Sequence, residues 1–121
     1  MAAEIRDHVA TTVDEMISVR AIDEPGPGGA HHHYVVAWPE CGGRSAVVHF
    51  QEGPVKEVGV NGLTNEALLA IVQHRLECFQ AGEFSSRENA LALTSIQNAM
   101  HWLHHRTRNR VSRGVEGKSV A

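Results

Sequence analysis

The run His105-Arg106-Thr107-Arg108-Asn109-Arg110 carries the residues best suited to holding a small anion. Arg106 and Arg110 are four apart, so on a helix they share a face, and two guanidinium forks on one face can grip a pyrophosphate bidentately. Cations at a helix C-terminus are also favoured by the macrodipole with no ligand at all. One or two arginines satisfy that dipole, whereas Arg106, Arg108, Arg110 and Arg113 put four within eight residues. Both readings of the cluster stand at this point.

Phe79, Gln80, Gly82, Phe84, Arg87 and Asn89 form a second group around a turn, offering aromatic planes for stacking and amides that can read a purine edge. Each also has a structural use. Phe79 continues an apolar stripe, Phe84 suits a hydrophobic staple ahead of a Ser85 cap, and Asn89 lies near a buried face four residues before Leu93. An amide in that position must find a partner.

Nine histidines raise the question of a metal, and His101, His104 and His105 have i, i+3, i+4 spacing. The zinc-protease helix pattern needs Glu after the first His, where Trp102 stands, and no cysteine or carboxylate neighbour completes a site. These histidines read as solvent-facing or interface residues, and His31 to His33 as a run at a loop edge; no metal site is expected. Nucleophile elbow, P-loop and paired acid/base carboxylates are all missing from the sequence, and the Gly-rich loop lacks a GK[ST] ending. The expectation is binding chemistry without a catalytic residue and without a cofactor.

The elements that must position these residues change character half-way along. Val13 to Ile22, His33 to Trp38, Arg44 to Gln51 and Val55 to Val60 are rich in Val, Ile or aromatics and predict three or four antiparallel strands. Glu24-Pro25-Gly26-Pro27-Gly28-Gly29 breaks the first two apart as a mobile loop, with further turns at Pro39 to Gly43 and Gly53-Pro54. Val47, His49 and Gln51 make one strand face more polar than Val48 and Phe50, so one face of the sheet is expected to be wet or covered by another subunit.

After Asn61-Gly62 the period becomes helical. Leu68, Val72, Leu76 and Phe79 recur behind a Thr64 cap, and Gly82 ends that helix. Ser85-Ser86-Arg87-Glu88 reads as a capping box for a second helix with stripe Leu93, Ile96, Met100 and Leu103, running from about Ser86 to Arg113. Gly114 and Val115 then suit the C′ and C″ positions of a Schellman ending. The fold class is α+β in a single domain over 1–121: a sheet half at 1–62, an αα-hairpin at 63–114 and a tail at 115–121. The second helix, at ~1.5 Å per residue, is about 40 Å long, more than such a sheet covers, so its far end is expected to pack on another chain.

Composition narrows the partners. With 121 residues, 42% hydrophobic and 21% charged, the chain is an ordinary globular size. It holds no apolar run of bilayer-spanning length, and Glu4 and Asp7 stand where a signal peptide would be basic, so neither secretion nor a membrane is expected. Cys41 and Cys78 lie far apart, as in a reducing cytoplasm. Net charge is −3, yet residues 101–121 carry five basic side chains against Glu116, or +4, and residues 1–100 carry six basic against thirteen acidic, or −7. Such a body repels a long nucleic acid while a compact basic cluster still holds one small phosphate ligand.

The segment Phe50-Gln51-Glu52-Gly53-Pro54-Val55-Lys56-Glu57-Val58-Gly59-Val60-Asn61-Gly62-Leu63-Thr64-Asn65-Glu66-Ala67-Leu68-Leu69-Ala70-Ile71-Val72 resembles a phage family that sequesters immune signalling nucleotides. So do Phe79-Gln80-Ala81-Gly82, Arg87-Glu88-Asn89-Ala90-Leu91-Ala92-Leu93-Thr94, His105-Arg106-Thr107-Arg108 and Arg113-Gly114-Val115-Glu116-Gly117. Together they resemble the first Thoeris anti-defence family, whose helical hairpin is shared with an anti-CBASS sponge. The likeness covers roughly residues 45 to 118; the Pro/Gly loop and His31 to His33 lie outside it.

The resemblance implies a non-enzymatic sponge in the cytoplasm of an infected bacterium, holding cyclic ADP-ribose isomers intact. It further implies a homodimer or hexamer, with cyclic di- or trinucleotides bound at a second site by some members. Matched by motif, the ligand-binding residues are Phe79, Asn89, Arg106 and Arg110. Asn89 and Arg106 are seventeen residues, or about 25 Å, apart on one helix, so one small cyclic nucleotide cannot touch both in the same chain. A pocket using all four must be composite, built across a two-fold dimer with two identical sites. The alternative is a small helix-turn-helix DNA-binding regulator with Arg87 and Asn89 opening its recognition helix, against which stand the −7 body and a basic cluster at the wrong end of that helix. A structural phage subunit whose helices only oligomerise is a third reading, and a nuclease or cyclic-nucleotide hydrolase a weaker fourth.

Overall fold

A computed structural model describes residues 3–38 and 43–114. The chain divides into two compact units, Met1–Leu63 with the sheet and Thr64–Ala121 with the helical hairpin. The architecture is α+β, an antiparallel sheet followed by helices.

The sheet has four strands in the order β1-β2-β3-β4: β1 Ala3–Ile5, β2 Ser18–Ala21, β3 His33–Trp38 and β4 Arg44–His49. All pairings are antiparallel, with Ile5 opposite Val19, Arg20 opposite Val35 and His33 opposite His49. β3 is half-buried along its whole length, with β2 on one side and β4 on the other. Its Tyr34 ring meets the Phe50 ring edge-on at 5.7 Å. Val47, on the face read as the wetter one, is 69% exposed. Among the described residues only Ala21 and His32 are buried, so this sheet has a thin core.

Two strand expectations need correction. The Val13 to Ile22 strand is only Ser18–Ala21 long, because Asp14 accepts hydrogen bonds from the Ala10 and Thr11 amides and starts a 3-10 turn over Asp14–Met16. Val55 to Val60 is not a strand either. Val55–Val58 is a helical turn, α1, opened by Pro54 and stopped by Gly59 at φ +79°. Glutamine and asparagine side chains close this loop. Gln51 Nε2 donates to the Gly53 and Gly59 carbonyls at 3.0 and 2.8 Å, and its Oε1 accepts from the Asn61 amide at 2.9 Å. The bonds to Gly59 and Asn61 outweigh the β-propensity of three valines, which rests on a pleated surface that is not there. The chain then returns beside Phe50 through a single parallel bridge at Leu63. The fourth strand is β1, a three-residue segment.

The two helices of the hairpin are where they are expected, but Val72 of the expected stripe on the first helix is 42% exposed, so the buried stripe is rotated from the expected one. Helix α2, Asn65–Ala81, is capped by Thr64, whose Oγ1 accepts from the Ala67 amide at 3.1 Å, and ends at Gly82. Helix α3, Arg87–Ser112, runs unbroken for 26 residues, about 39 Å. Its half-buried residues are Asn89, Leu93, Ile96, Met100, Leu103, Thr107 and Arg110. Their spacing alternates four and three, the repeat of a seam packed lengthwise against an antiparallel neighbour, and α2 answers with Glu66, Leu69, Gln73, Leu76 and Gln80. Gly114 takes φ +71° at the C′ position. Val115 and the tail 115–121, the Pro39 turn and Cys41 lie outside the described residues.

Candidate functional site

The turn between α2 and α3 is fixed by Gln80. Its Nε2 donates to the Ser86 carbonyl at 3.1 Å, and its Oε1 accepts from the Ser86 amide at 3.0 Å. Both polar ends of that amide serve the turn, which removes Gln80 from the candidate base readers. The N-cap is Ser86, one residue later than the Ser85 of the expected capping box, and its Oγ accepts from the Asn89 amide at 3.0 Å. Phe84 is 73% exposed, so it is not buried as the expected staple would be.

Phe79 lies in the last turn of α2 and Asn89 in the first turn of α3, both half-buried and flanking this clamped turn. Among the described residues the Asn89 carboxamide makes no hydrogen bond within the chain; only its backbone amide is engaged, by the cap. A half-buried amide with spare donors and acceptor is what a nucleotide edge requires.

Arg75 was not singled out from sequence, although it stands one helical turn before Phe79, and an i, i+4 cation–aromatic pair is a local signal. Its guanidinium carbon lies 5.0 Å from the Phe79 ring centroid. Together they line an open groove with Ile71, His74 and Cys78. The Cys78 thiol lies 3.8 Å from His74 Nε2. No hydrogen bond to a third group orients that imidazole among the described residues, so the pair lacks the ordered base that activates a nucleophile.

Arg106 and Arg110 are on the same helix as Asn89 but near its opposite end, Arg106 exposed and Arg110 half-buried. Trp102, one turn before Arg106, is 65% exposed, with the His101 and His105 rings edge-on to it at 5.2 and 5.8 Å. The four expected ligand residues therefore fall in two groups at the two ends of α3, Phe79 with Asn89 and Arg106 with Arg110. The chain does not bring the groups together.

No helix among the described residues is long and apolar enough to cross a membrane. A family model described as the Acb2/Tad1 hairpin domain matches residues 44–108, from β4 through most of α3. The chain is also 53% identical over 75 residues to Thoeris anti-defense 1 of Bacillus phage SBSphiJ7, a stretch that covers 62% of this chain and 53% of that protein. It thus spans about half the length of that relative. The matched residues take in Phe79, Asn89 and Arg106 with the clamped turn between them, and the chain belongs to the Acb2/Tad1 hairpin family.

Proposed function

We propose that this chain is a phage anti-defence protein that works by sequestration: it binds cyclic ADP-ribose-type signalling nucleotides in the infected cell's cytoplasm and holds them uncleaved. The observation that carries this reading is the division of the binding residues between the two ends of one continuous α3. A compact diphosphate ligand needs a stacking plane and an amide near two guanidinium groups, and a single copy offers these about 25 Å apart along the helix axis. Two copies packed antiparallel supply both. Phe79 and Asn89 of one chain take the base and ribose, and Arg106 and Arg110 of the other neutralise the pyrophosphate. Arg75, seated over Phe79, completes the stacking wall.

The exposure of Trp102, at 65%, and of Leu91, at 52%, supports a partner along α3. We place Trp102 or the Leu103 face in or near that contact. Binding tight enough to silence a signal needs slow release and no turnover. Cyclic di- or trinucleotides at a second site extend the same reading.

Incubation with a panel of cyclic ADP-ribose isomers and cyclic oligonucleotides, followed by heat release and mass identification, tests the proposal. Intact recovery of one cyclic ADP-ribose isomer is expected. Recovery of a linear or otherwise altered product, or of none of the panel, overturns it.

A further inference from the structure

Outside the hairpin, the sheet gathers histidines that are scattered in sequence. His33 opens β3 and His49 closes β4, and the two are directly paired across the ladder, so their side chains share one face. Their ring centroids are 3.9 Å apart and their Nε2 atoms 2.9 Å apart. Glu52, three residues past His49, brings Oε1 to 3.8 Å from His33 Nε2 and 4.0 Å from His49 Nε2. A circle through these three atoms has a radius of about 2.1 Å, the length of a zinc–imidazole or zinc–carboxylate bond, roughly 2.0–2.2 Å.

The surroundings are arranged as a metal's outer shell would be. Asp23 Oδ2 lies 3.5 Å from His33 Nδ1, which favours the tautomer with its proton on Nδ1 and a lone pair on Nε2. Asp23 is itself held by the His32 amide at 2.8 Å and approached by His31 Nδ1 at 3.3 Å. Glu52 is fixed through its backbone, donating to Asn61 Oδ1 at 2.8 Å and accepting from Asn61 Nδ2 at 2.7 Å.

The Pro/Gly loop walls the cluster. A Cβ on Gly26 would come within 3.4 Å of His32 Nδ1 and 3.9 Å of Glu52 Oε2. His32 is 8% exposed, and its Nδ1 finds no hydrogen-bond partner among the described residues. Two neutral imidazoles facing through Nε2 can share one proton and make one hydrogen bond. A cation at the common centre engages both lone pairs and the carboxylate.

We propose that His33, His49 and Glu52 bind one divalent ion of the zinc class, with Asp23 as the orienting carboxylate behind His33. Two imidazoles and one carboxylate suit zinc better than magnesium or calcium, which prefer oxygen alone. The side chains of His33, His49 and Glu52 keep 31%, 43% and 43% exposure, which leaves a fourth position open to water. The ion ties the end of the β3–β4 pair to the loop that Gln51 and Asn61 close.

Calorimetric titration of the full chain with zinc chloride, in a non-chelating buffer and with magnesium chloride as control, tests the site. One zinc per chain is expected, with a zinc-dependent rise in Tm and no magnesium uptake. His33→Ala and His49→Ala should abolish uptake, Asp23→Asn should weaken it about 10- to 100-fold, and a variant with His101, His104 and His105 all replaced by Ala should keep it. Glu52→Gln keeps the shape of a part-exposed side chain and should weaken binding without unfolding the protein, so it stands even if the histidine variants fold poorly. Absence of saturable uptake by the wild-type chain overturns the proposal. So does uptake that persists unchanged in Glu52→Gln and His49→Ala.

Discussion

In the proposed pocket the two arginines, Arg106 and Arg110, and the aromatic Phe79 contribute by different physics, and single substitutions separate them. Arg106→Ala or Arg110→Ala leaves a phosphate poorly compensated in a desolvated pocket and should cost about 2 kcal/mol of affinity or more. Phe79→Ala removes stacking worth about 1–3 kcal/mol, and also some stability because the ring is part of the hairpin. Calorimetric Kd values for the three variants check this. Unchanged affinity in both arginine variants returns the cluster to its helix-dipole explanation.

Asp14 is a structural carboxylate of another kind. The Ala10 amide first and the Thr11 amide next hold its carboxyl below the ordinary value of 3.8 against an opposing effect of burial. Since the folded value is the lower one, its stabilisation is present above 3.8 and is lost as pH falls through the folded value. A carboxyl NMR titration should place the Asp14 inflection below 3.8, and an Asp14→Asn variant should lack that acid-labile contribution.

At the scale of elements, the Gln80 clamp fixes the turn of a hairpin whose two helices hold no fully buried residue among those described. Gln80→Ala removes two hydrogen bonds to Ser86 and should destabilise the hairpin by about 1–3 kcal/mol, read from the helical signal during urea unfolding. This hairpin was legible in sequence because its punctuation is local: Thr64, Gly82 and Gly114 each lie within a few residues of the stripe they bound, and the second cap, Ser86, falls one residue after the expected Ser85. The sheet was less so. Ala3–Ile5 has no strand signature of its own and takes its conformation from β2. The loop around α1 is set by Gln51 reaching Asn61, ten residues away, which no periodicity reveals. The same limit hid the imidazole cluster. Its carboxylates, Asp23 and Glu52, become neighbours of His33 only when the strands pair, so the histidine run at the loop edge looked incomplete. Phe79, Asn89, Arg106 and Arg110 are proposed as binding residues on their motif positions, whereas the Arg75 and Phe79 contact needed the helix face.

For the whole molecule, Asn89 and Arg106 lie far apart on one continuous helix, so the proposed pocket requires assembly of two copies. Light scattering at micromolar concentration should give at least a dimer, and Trp102→Ala should weaken it by removing an exposed aromatic anchor. A monomer that still binds the nucleotide would exclude the composite pocket. The central claim is sequestration, and its consequence is stoichiometry: a Kd near 10 nM corresponds to about −11 kcal/mol, enough to deplete a micromolar signal only when sites outnumber signal molecules. The most direct measurement titrates a fixed amount of cyclic ADP-ribose isomer with the protein while following free ligand and its mass. A sharp break near one ligand per site, with intact ligand released on heating, is the predicted result; continued loss of ligand at substoichiometric protein would contradict it.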